Sequence, residues 1–307
     1  MQEGIYHVPV LLKEVIDGLK IDPSGIYVDC TFGGGGHSAA ILKKLNAHGK
    51  LIAFDQDEEA IKNLPADDRL VFVPHNFRHL QRFLRLHKIA EVNGILADLG
   101  VSSHQFNEPQ RGFSTRFDAP MDMRMSRNEK MNAATIINNY SQEKLHRLFE
   151  QYGEITNSKT LAKLIVELRR SQSLNTTTEF KNALYDIVKG NPEKYFAQVF
   201  QALRIEVNNE LEALKEMLKQ VPGVLKNEGR IAVISFHSLE DRTVKNFFKN
   251  GNFDENEEAN LYGTVRKNDL KVITKKPIVP SHEEIKNNPR SRSAKLRIAE
   301  KIKVSKN

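Results

Sequence analysis

The chain has 307 residues, enough for one large domain or two smaller ones, each with a core of its own. Hydrophobic residues make up 39% and charged residues 28%, an ordinary composition for a globular protein. No apolar run approaches the roughly 18 residues of a membrane helix, so no membrane partner is expected. The single cysteine, Cys30, excludes an intrachain disulfide and a cysteine-based zinc site. The N-terminal stretch predicts an amphipathic helix and not a signal peptide, which favours a cytoplasmic protein.

The positive charge is concentrated near the C-terminus. The formal net charge is +7, and residues 266–307 contain thirteen Lys or Arg against four acidic residues, an excess of nine. Such a segment suits a polyanionic partner, because each neutralised phosphate releases counterions. A lysine-rich solvated surface explains the same charge equally well.

Strand and helix signals alternate over the first hundred residues. Short apolar runs at 26–28, 51–54, 70–73 and 94–97 are each followed by a helical or turn segment. This alternation predicts a parallel sheet with right-handed crossovers. A fifth strand is predicted at Arg230–Ser235, and two late runs, 271–274 and 294–299, are predicted to form a closing strand pair.

A different pattern interrupts the alternation. Residues 102–130 have no clear period, and a long aperiodic loop is often functional. From Ala133 to about Gln220 the pattern is helical, and apolar residues from Phe196 to Leu218 step by three or four, which predicts one long helix. The fold class predicted is therefore a Rossmann-like α/β sheet with an inserted all-helical domain. The predicted boundaries are 1–108 and 216–307 for the α/β domain and 109–215 for the insertion.

The stretch from Asp29 to His37 contains four consecutive glycines between a strand and a helix, the position of a nucleotide-binding turn. No Gly-Lys-Ser/Thr follows, so a P-loop is excluded. Gly34-x-Gly36-x-x-Ala39 satisfies the relaxed dinucleotide pattern, so the glycines alone leave NAD open.

Acidic residues at the strand ends favour S-adenosylmethionine (SAM) over NAD. Asp29 lies four residues before Gly33, and this pattern resembles the first motif of Rossmann-like methyltransferases. Asp55 ends the second strand, where it can accept hydrogen bonds from both ribose hydroxyls. SAM is cationic at sulfur and at its amine, and carboxylates beside the glycine turn suit those charges.

Several longer motifs occur in order along nearly the whole chain. They are His7-x-Pro9-Val10-Leu11-Leu12, Thr31–Ser38, Phe54-Asp55-x-Asp57, Asp98–Ser103, Arg111–Ser114, Met121–Met125, Phe200–Asn208, Ser235–Arg242 and Asn288–Ser293. Together they resemble one family, the bacterial methyltransferases that modify N4 of a cytidine in the decoding (P-site) region of 16S ribosomal RNA, and their order makes the resemblance specific.

The resemblance implies a SAM site and a substrate in the small ribosomal subunit. Together with the glycine pattern it gives these cofactor-binding candidates: Gly33, Gly35, Gly36, His37, Asp55, Phe77, Asp98 and Gln105. No metal site is predicted, and the oligomeric state stays open, with a homodimer among the candidates.

Asp98, at the end of the fourth strand, is the catalytic candidate, because it can orient an amine and accept its proton. A role in binding SAM alone fits its position equally well. The cytosine amine is a poor nucleophile and must be held in line with the methyl group.

Other residues are candidates for contact with RNA. Arginines suit phosphates and aromatic rings suit unstacked bases. The aperiodic loop that carries some of these residues could instead be a lid packed on the core. Gln201, Arg204 and Asn208 share one polar face of the predicted long helix, and that face could be solvated. The candidates are Arg111, Phe113, Arg124, Gln201, Arg204, Asn208, His237, Arg290 and Arg292. The alternatives are a methyltransferase of another nucleic-acid amine, an NAD-dependent oxidoreductase and a non-catalytic RNA-binding protein.

Overall fold

The computed structural model describes residues 9–253 and 268–303. The chain divides into two compact units: the first comprises Met1–Gly100 and Leu211–Asn307, and the second comprises Val101–Glu210. The sequence pattern predicts the inserted domain at 109–215, so the observed second unit begins and ends earlier. The early start has a physical reason, because side chains of the aperiodic segment belong to the core of the second unit.

The first unit is built on a seven-stranded sheet with the order β3-β2-β1-β4-β5-β7-β6. The first five strands pair in parallel, whereas β7 is antiparallel to both β5 and β6. The predicted parallel sheet and closing strand pair are thus confirmed. The strands are β1 (Ile26–Asp29), β2 (Lys50–Phe54), β3 (Leu70–Val73), β4 (Val92–Asp98), β5 (Leu225–Ser235), β6 (Leu270–Val272) and β7 (Lys295–Lys301).

Both faces of the sheet are buried, as expected of parallel strands covered on each side. Successive residues of a strand point to opposite faces, so Tyr27 and Val28 of β1 belong to different hydrophobic clusters. The helices of the first unit are α1 (Leu12–Leu19), α2 (Gly36–Lys44), α3 (Leu80–Leu86), α10 (Glu210–Val224, whose first residue belongs to the second unit), α11 (Ser238–Asn250) and α12 (His282–Asn287).

The second unit is helical in the described structure. Its core contains Phe149, Leu161, Phe180 and Val199 from its helices. Thr176 is the N-cap of the helix Thr177–Leu184 and forms a capping box with Glu179. The helices are α4 (Ser103–Asn107), α5 (Ala133–Asn139), α6 (Gln142–Gly153), α7 (Ser158–Leu168), α8 (Thr177–Leu184) and α9 (Pro192–Asn208).

The prediction of one long helix over Phe196–Leu218 is wrong. α9 ends at Asn208, Asn209 adopts a left-handed conformation with φ 50°, and α10 begins at Glu210. Asparagine tolerates this conformation better than most residues, which suits it to a helix end. The apolar pattern hides the break, because Val207 and Leu211 keep helical spacing across it.

The C-terminal basic segment is largely part of the folded first unit. Arg297, on β7, is buried and its guanidinium lies 2.6 Å from the Asp241 carboxylate, which also accepts from Lys295 at 3.4 Å. Arg266, Lys267 and Lys306 lie outside the described residues. Part of the positive charge is therefore already neutralised by ion pairs within the fold. Across residues 9–253 and 268–303, no helix combines the length and hydropathy required to span a bilayer.

Candidate active site

A glycine turn joins β1 to α2 at the carboxyl edge of the sheet. Gly35 has φ 76°, a left-handed conformation that glycine adopts without strain, and its N–H donates to the Phe32 carbonyl at 2.7 Å. A Cβ at Gly36 would collide with the ring of Pro9. These two glycines are therefore required by backbone conformation and by close packing.

The other two glycines of the turn have different surroundings. Gly33, with φ 51°, donates its N–H to Asp55 Oδ2 at 2.7 Å, which ties the turn to the end of β2. A Cβ at Gly34 would meet no described atom within 4 Å. Gly34 thus borders open space, as expected where a ligand lies against bare backbone.

Asp29 stabilises the turn from inside and does not face open space. Its side chain is buried and accepts hydrogen bonds from the Thr31 N–H at 3.0 Å and from the Ser38 hydroxyl at 2.8 Å. Burial raises the pKa of this carboxyl, and these hydrogen bonds and nearby His37 oppose the rise. The Asp29 carboxylate is thus engaged within the turn, and the suggestion that acids beside the turn suit a cationic cofactor stays a prediction.

Asp55 follows β2 and is half-buried. Its Oδ1 accepts from the Asp57 N–H at 2.8 Å, and its Oδ2 accepts from Gly33. Each carboxylate oxygen can accept a further hydrogen bond. Burial raises the pKa of Asp55 to about 6, and the charges of Asp57 and Asp29 add to the rise. A neighbouring cation or hydroxyl donor would favour its ionised form.

Asp98 is the last residue of β4. Its backbone N–H donates to the Thr31 hydroxyl at 2.7 Å, which fixes the ends of β4 and β1 together. A quarter of its side chain is exposed, yet Oδ1 is buried and accepts no hydrogen bond from the described residues. Burial raises the pKa of Asp98 to about 6; His37 opposes the rise, whereas Asp29 and Glu240 increase it.

His37 occupies the first turn of α2, and its side chain is buried. Nε2 lies 3.0 Å from the Val10 carbonyl oxygen, and Nδ1 lies 3.6 Å from Asp98 Oδ2. Contact of His37 with a cofactor stays a prediction; in this structure the ring has a charged neighbour in Asp98.

His237 follows β5 and is the N-cap of α11. Its Nδ1 accepts from the Glu240 N–H at 3.4 Å, and its Nε2 lies 3.1 Å from Glu240 Oε1. The side chain of His237, and not that of Ser238, therefore caps the start of this helix. Histidine is an uncommon N-cap.

Phe77 lies after β3, half-buried against the hydrophobic core of one sheet face. Gln105 belongs to the second unit, where its side-chain oxygen accepts from the Ser102 N–H at 3.0 Å in a capping box. The first unit therefore brings together the glycine turn, His37, Asp55 and Asp98, while Gln105 is part of a separate helix start.

The arginines of the aperiodic segment make internal contacts in the second unit. Arg111 is 2% exposed and donates to the carbonyl oxygens of Arg124 and Met125 at 3.0 and 2.9 Å. Phe113 is also buried. Arg124 is bound to the Asp122 carboxylate at 2.7 Å. In this conformation Arg111 and Phe113 stabilise the segment and are not accessible to RNA, contrary to the expectation from charge and aromaticity.

The predicted polar face of α9 is likewise engaged within the second unit. Gln201 donates to the Tyr152 carbonyl at 2.9 Å, and Arg204 donates to Glu210 at 2.9 Å. Asn208 donates to the Met123 carbonyl at 2.8 Å and accepts from the Met125 N–H at 2.7 Å. These side chains hold the neighbouring backbone, a role that spacing along a helix does not reveal.

The two predicted basic contacts near the C-terminus lie on one turn of 3-10 helix, Pro289–Ser293. Arg290 is half-buried and Arg292 is exposed. Contact with a polyanion is open to Arg292 and stays a prediction.

Three residues of the site were not singled out from the sequence. Thr31 and Ser38 hold Asp29, and the Val10 carbonyl holds His37. Thr31 and Ser38 are the ends of the motif around the glycines, which was the available signal. A contact made by a backbone carbonyl, such as that of Val10, leaves no signal in the sequence.

The parallel sheet with an antiparallel seventh strand, together with carboxylates at the ends of β2 and β4 beside a glycine turn, defines a Rossmann-like methyltransferase. The family model described as the MraW methylase family matches residues 4–302. The chain belongs to this family, which confirms the resemblance seen in the motifs.

Curated relatives span essentially the same length. The chain is 54% identical over 301 residues to "Ribosomal RNA small subunit methyltransferase H" of Flavobacterium johnsoniae, covering 97% of this chain and 98% of the relative. It is 52% identical over 303 residues to the protein of the same name from Parabacteroides distasonis, covering 98% and 99%. Among solved structures, an rRNA methylase from Streptococcus thermophilus aligns with a TM-score of 0.41 and 11% identity, covering 95% of this chain and 94% of that one.

Proposed function

We propose that the chain transfers a methyl group from SAM to the exocyclic N4 amine of a cytidine in the decoding region of 16S ribosomal RNA. The family and the names of its relatives support a methyltransferase of small-subunit ribosomal RNA. The motif resemblance supports the position and the N4 amine. The observation that carries the chemistry is the Asp98 carboxylate beside the glycine turn, with one buried oxygen that accepts no hydrogen bond from the described residues.

The residues present fit a cationic methyl donor. Asp55 and Asp98 have pKa values raised to about 6 by burial, so a positive ligand would restore their ionised forms. Asp55 retains acceptor capacity for two ribose hydroxyls, and Gly34 borders open space. We propose that Gly33–Gly36, Asp55 and Phe77 hold SAM. When bound, SAM supplies a methyl group on a positively charged sulfur.

The chain's own contribution to the reaction is orientation and proton transfer. We propose that the Asp98 carboxylate accepts a hydrogen bond from the cytosine amine, which orients the nitrogen lone pair, and then takes the proton that this nitrogen loses. The base must leave its stack to reach a carboxylate at the edge of the sheet. Arg292, which is exposed, is the described candidate for a phosphate contact.

The test is methyl transfer to small ribosomal subunits that lack the modification. Purified chain and labelled SAM are incubated with these subunits, and the labelled nucleotide is mapped by mass spectrometry. We expect N4-methylcytidine at one decoding-region position, and loss of labelling with Asp98→Asn. Label in another nucleic acid, or at another atom, would assign a different substrate. Calorimetric binding of NAD in place of SAM would assign an oxidoreductase, and SAM binding without transfer to any RNA would assign a non-catalytic role.

A further inference from the structure

The His37 ring lies between two oxygen atoms. Nε2 is 3.0 Å from the Val10 carbonyl oxygen, which can only accept a hydrogen bond, so Nε2 carries a proton. Nδ1 is 3.6 Å from Asp98 Oδ2, a separation typical of an ion pair and longer than a hydrogen bond. A neutral ring with its proton on Nε2 would direct the Nδ1 lone pair at a carboxylate oxygen.

Only the imidazolium form offers a donor to each of these oxygens. We propose that His37 is a positioning residue, the counter-ion of Asp98: its Nε2–H is anchored on the Val10 carbonyl, and its Nδ1–H faces Asp98 Oδ2, which keeps this carboxylate ionised and oriented. This inference rests on the proposed function for its consequence in catalysis, although the pairing itself does not depend on it.

The charges around Asp98 favour such a counter-ion. Asp29, from the end of β1, and Glu240, from α11, both raise the pKa of Asp98, as does burial. His37, from α2, opposes them. Asp29 also interacts electrostatically with His37. Burial of Oδ1 and the neighbouring acids favour the neutral acid, a cation beside the carboxyl favours the carboxylate, and a neutral acid cannot accept a proton.

The consequence for methyl transfer follows from the balance of charge and protons. The nitrogen lone pair forms the N–C bond while the S–C electron pair stays on sulfur, which becomes a neutral thioether. The nitrogen then carries the positive charge and gives one proton to the Asp98 carboxylate, which becomes a carboxylic acid. With Asp98 neutral, His37 releases its Nδ1 proton to water and then takes the proton from Asp98 Oδ2. This transfer restores the Asp98 carboxylate and the imidazolium, and each turnover releases one proton to solvent.

The direct test is the protonation state of the His37 ring nitrogens. In the full chain with 15N-labelled histidine rings, we expect both nitrogens of His37 to be protonated at pH 7, with the His37 signals assigned by their loss in His37→Gln. In Asp98→Asn, we expect Nδ1 to lose its proton while Nε2 keeps it. A neutral His37 in the wild-type chain, or the same protonation in both chains, overturns the inference.

A second measurement detects the role of His37 in catalysis. The acidic limb of the pH–rate profile should move to higher pH in His37→Gln by about one unit, because the cation that lowers the pKa of Asp98 has gone. His48→Gln, at an exposed histidine after α2, is the matched control and should keep the wild-type limb. The 13C resonance of the Asp98 carboxyl should titrate at higher pH in His37→Gln, a readout that needs no turnover.

The two proposals fail in different ways. Both protons on His37, together with no methyl transfer to any RNA, would refute the proposed function and leave the ion pair standing. Methylation of the expected cytidine, together with an unchanged acidic limb and an unchanged Asp98 titration in His37→Gln, would refute the role of His37 alone.

Discussion

Replacing Asp98 by asparagine removes a buried charge while it keeps the size of the side chain. The pKa of Asp98 is raised from 3.8 to about 6, so the folded chain binds this proton more tightly than the unfolded chain does. A difference of about two pH units corresponds to about 3 kcal/mol, at roughly 1.4 kcal/mol per unit. Since a quarter of the side chain is exposed, we take about 3 kcal/mol as an upper bound.

The sign follows from proton linkage. Between pH 4 and pH 6 the folded state holds more protons than the unfolded state, so stability of the wild-type chain falls as pH rises through this window. The amide of the Asp98→Asn variant does not titrate, and His37 can lose its Nδ1 proton, so no charge is stranded. We therefore expect Asp98→Asn to be more stable than wild type at pH 7.5, by up to about 3 kcal/mol, and about equally stable near pH 4.

The assay is urea unfolding of both chains, without ligand, at pH 4 and at pH 7.5, with methyl transfer measured in parallel. The expected pattern is a gain in stability at pH 7.5 together with loss of activity. A variant less stable than wild type at pH 7.5, or a stability difference that is the same at both pH values, would refute the assignment of Asp98 as a carboxylate buried at a cost in stability. Asp67→Asn, at an acid outside this cluster, is a control that should not reproduce the gain, because hydrogen bonds from Arg69 lower the pKa of Asp67.

Three further predictions concern the glycine turn, the cofactor and the second unit. Gly36→Ala should lower the free energy of unfolding by about 1–3 kcal/mol, because the added Cβ overpacks against Pro9. Gly34→Ala should keep wild-type stability yet bind SAM more weakly. Equal stability of the two variants in urea would contradict this difference. SAM affinity measured by calorimetry should fall about fourfold or more between pH 7.5 and 5.5, because Asp55 and Asp98 become protonated near pH 6. The affinity for the neutral thioether product should fall less over the same range. A SAM affinity independent of pH would exclude these carboxylates as partners of SAM. Asn208→Ala should destabilise the second unit by about 1–3 kcal/mol, because two backbone groups lose their partner, and an unchanged thermal unfolding curve would show that this contact is dispensable.

Much of the first unit could be predicted from the sequence, because its signals are local. Short apolar runs bounded by turns identify buried strands, and the carboxyl ends of parallel strands lie at one edge of a sheet. Asp55 and Asp98 could therefore both be placed at this edge, because each stands at the end of a predicted parallel strand. The closing pair of β6 and β7 was also visible as two late apolar runs.

The remaining features depend on contacts that no local pattern contains. Arg111 was expected at the surface because arginine usually is, yet its guanidinium satisfies two backbone carbonyls inside the second unit. The helix break at Asn209 is invisible to periodicity, since the apolar spacing continues across it. The pairing of His37 with the Val10 carbonyl joins residues 27 positions apart through a backbone atom, which has no sequence signature.

A crystal structure of the chain with SAM bound would test the proposed cofactor site most directly. We predict the ribose hydroxyls at the Asp55 carboxylate, the backbone of Gly33–Gly36 against the ligand, and a cationic group of SAM near Asp98. Clear density for SAM elsewhere, with the glycine turn and both carboxylates free of it, would contradict this assignment.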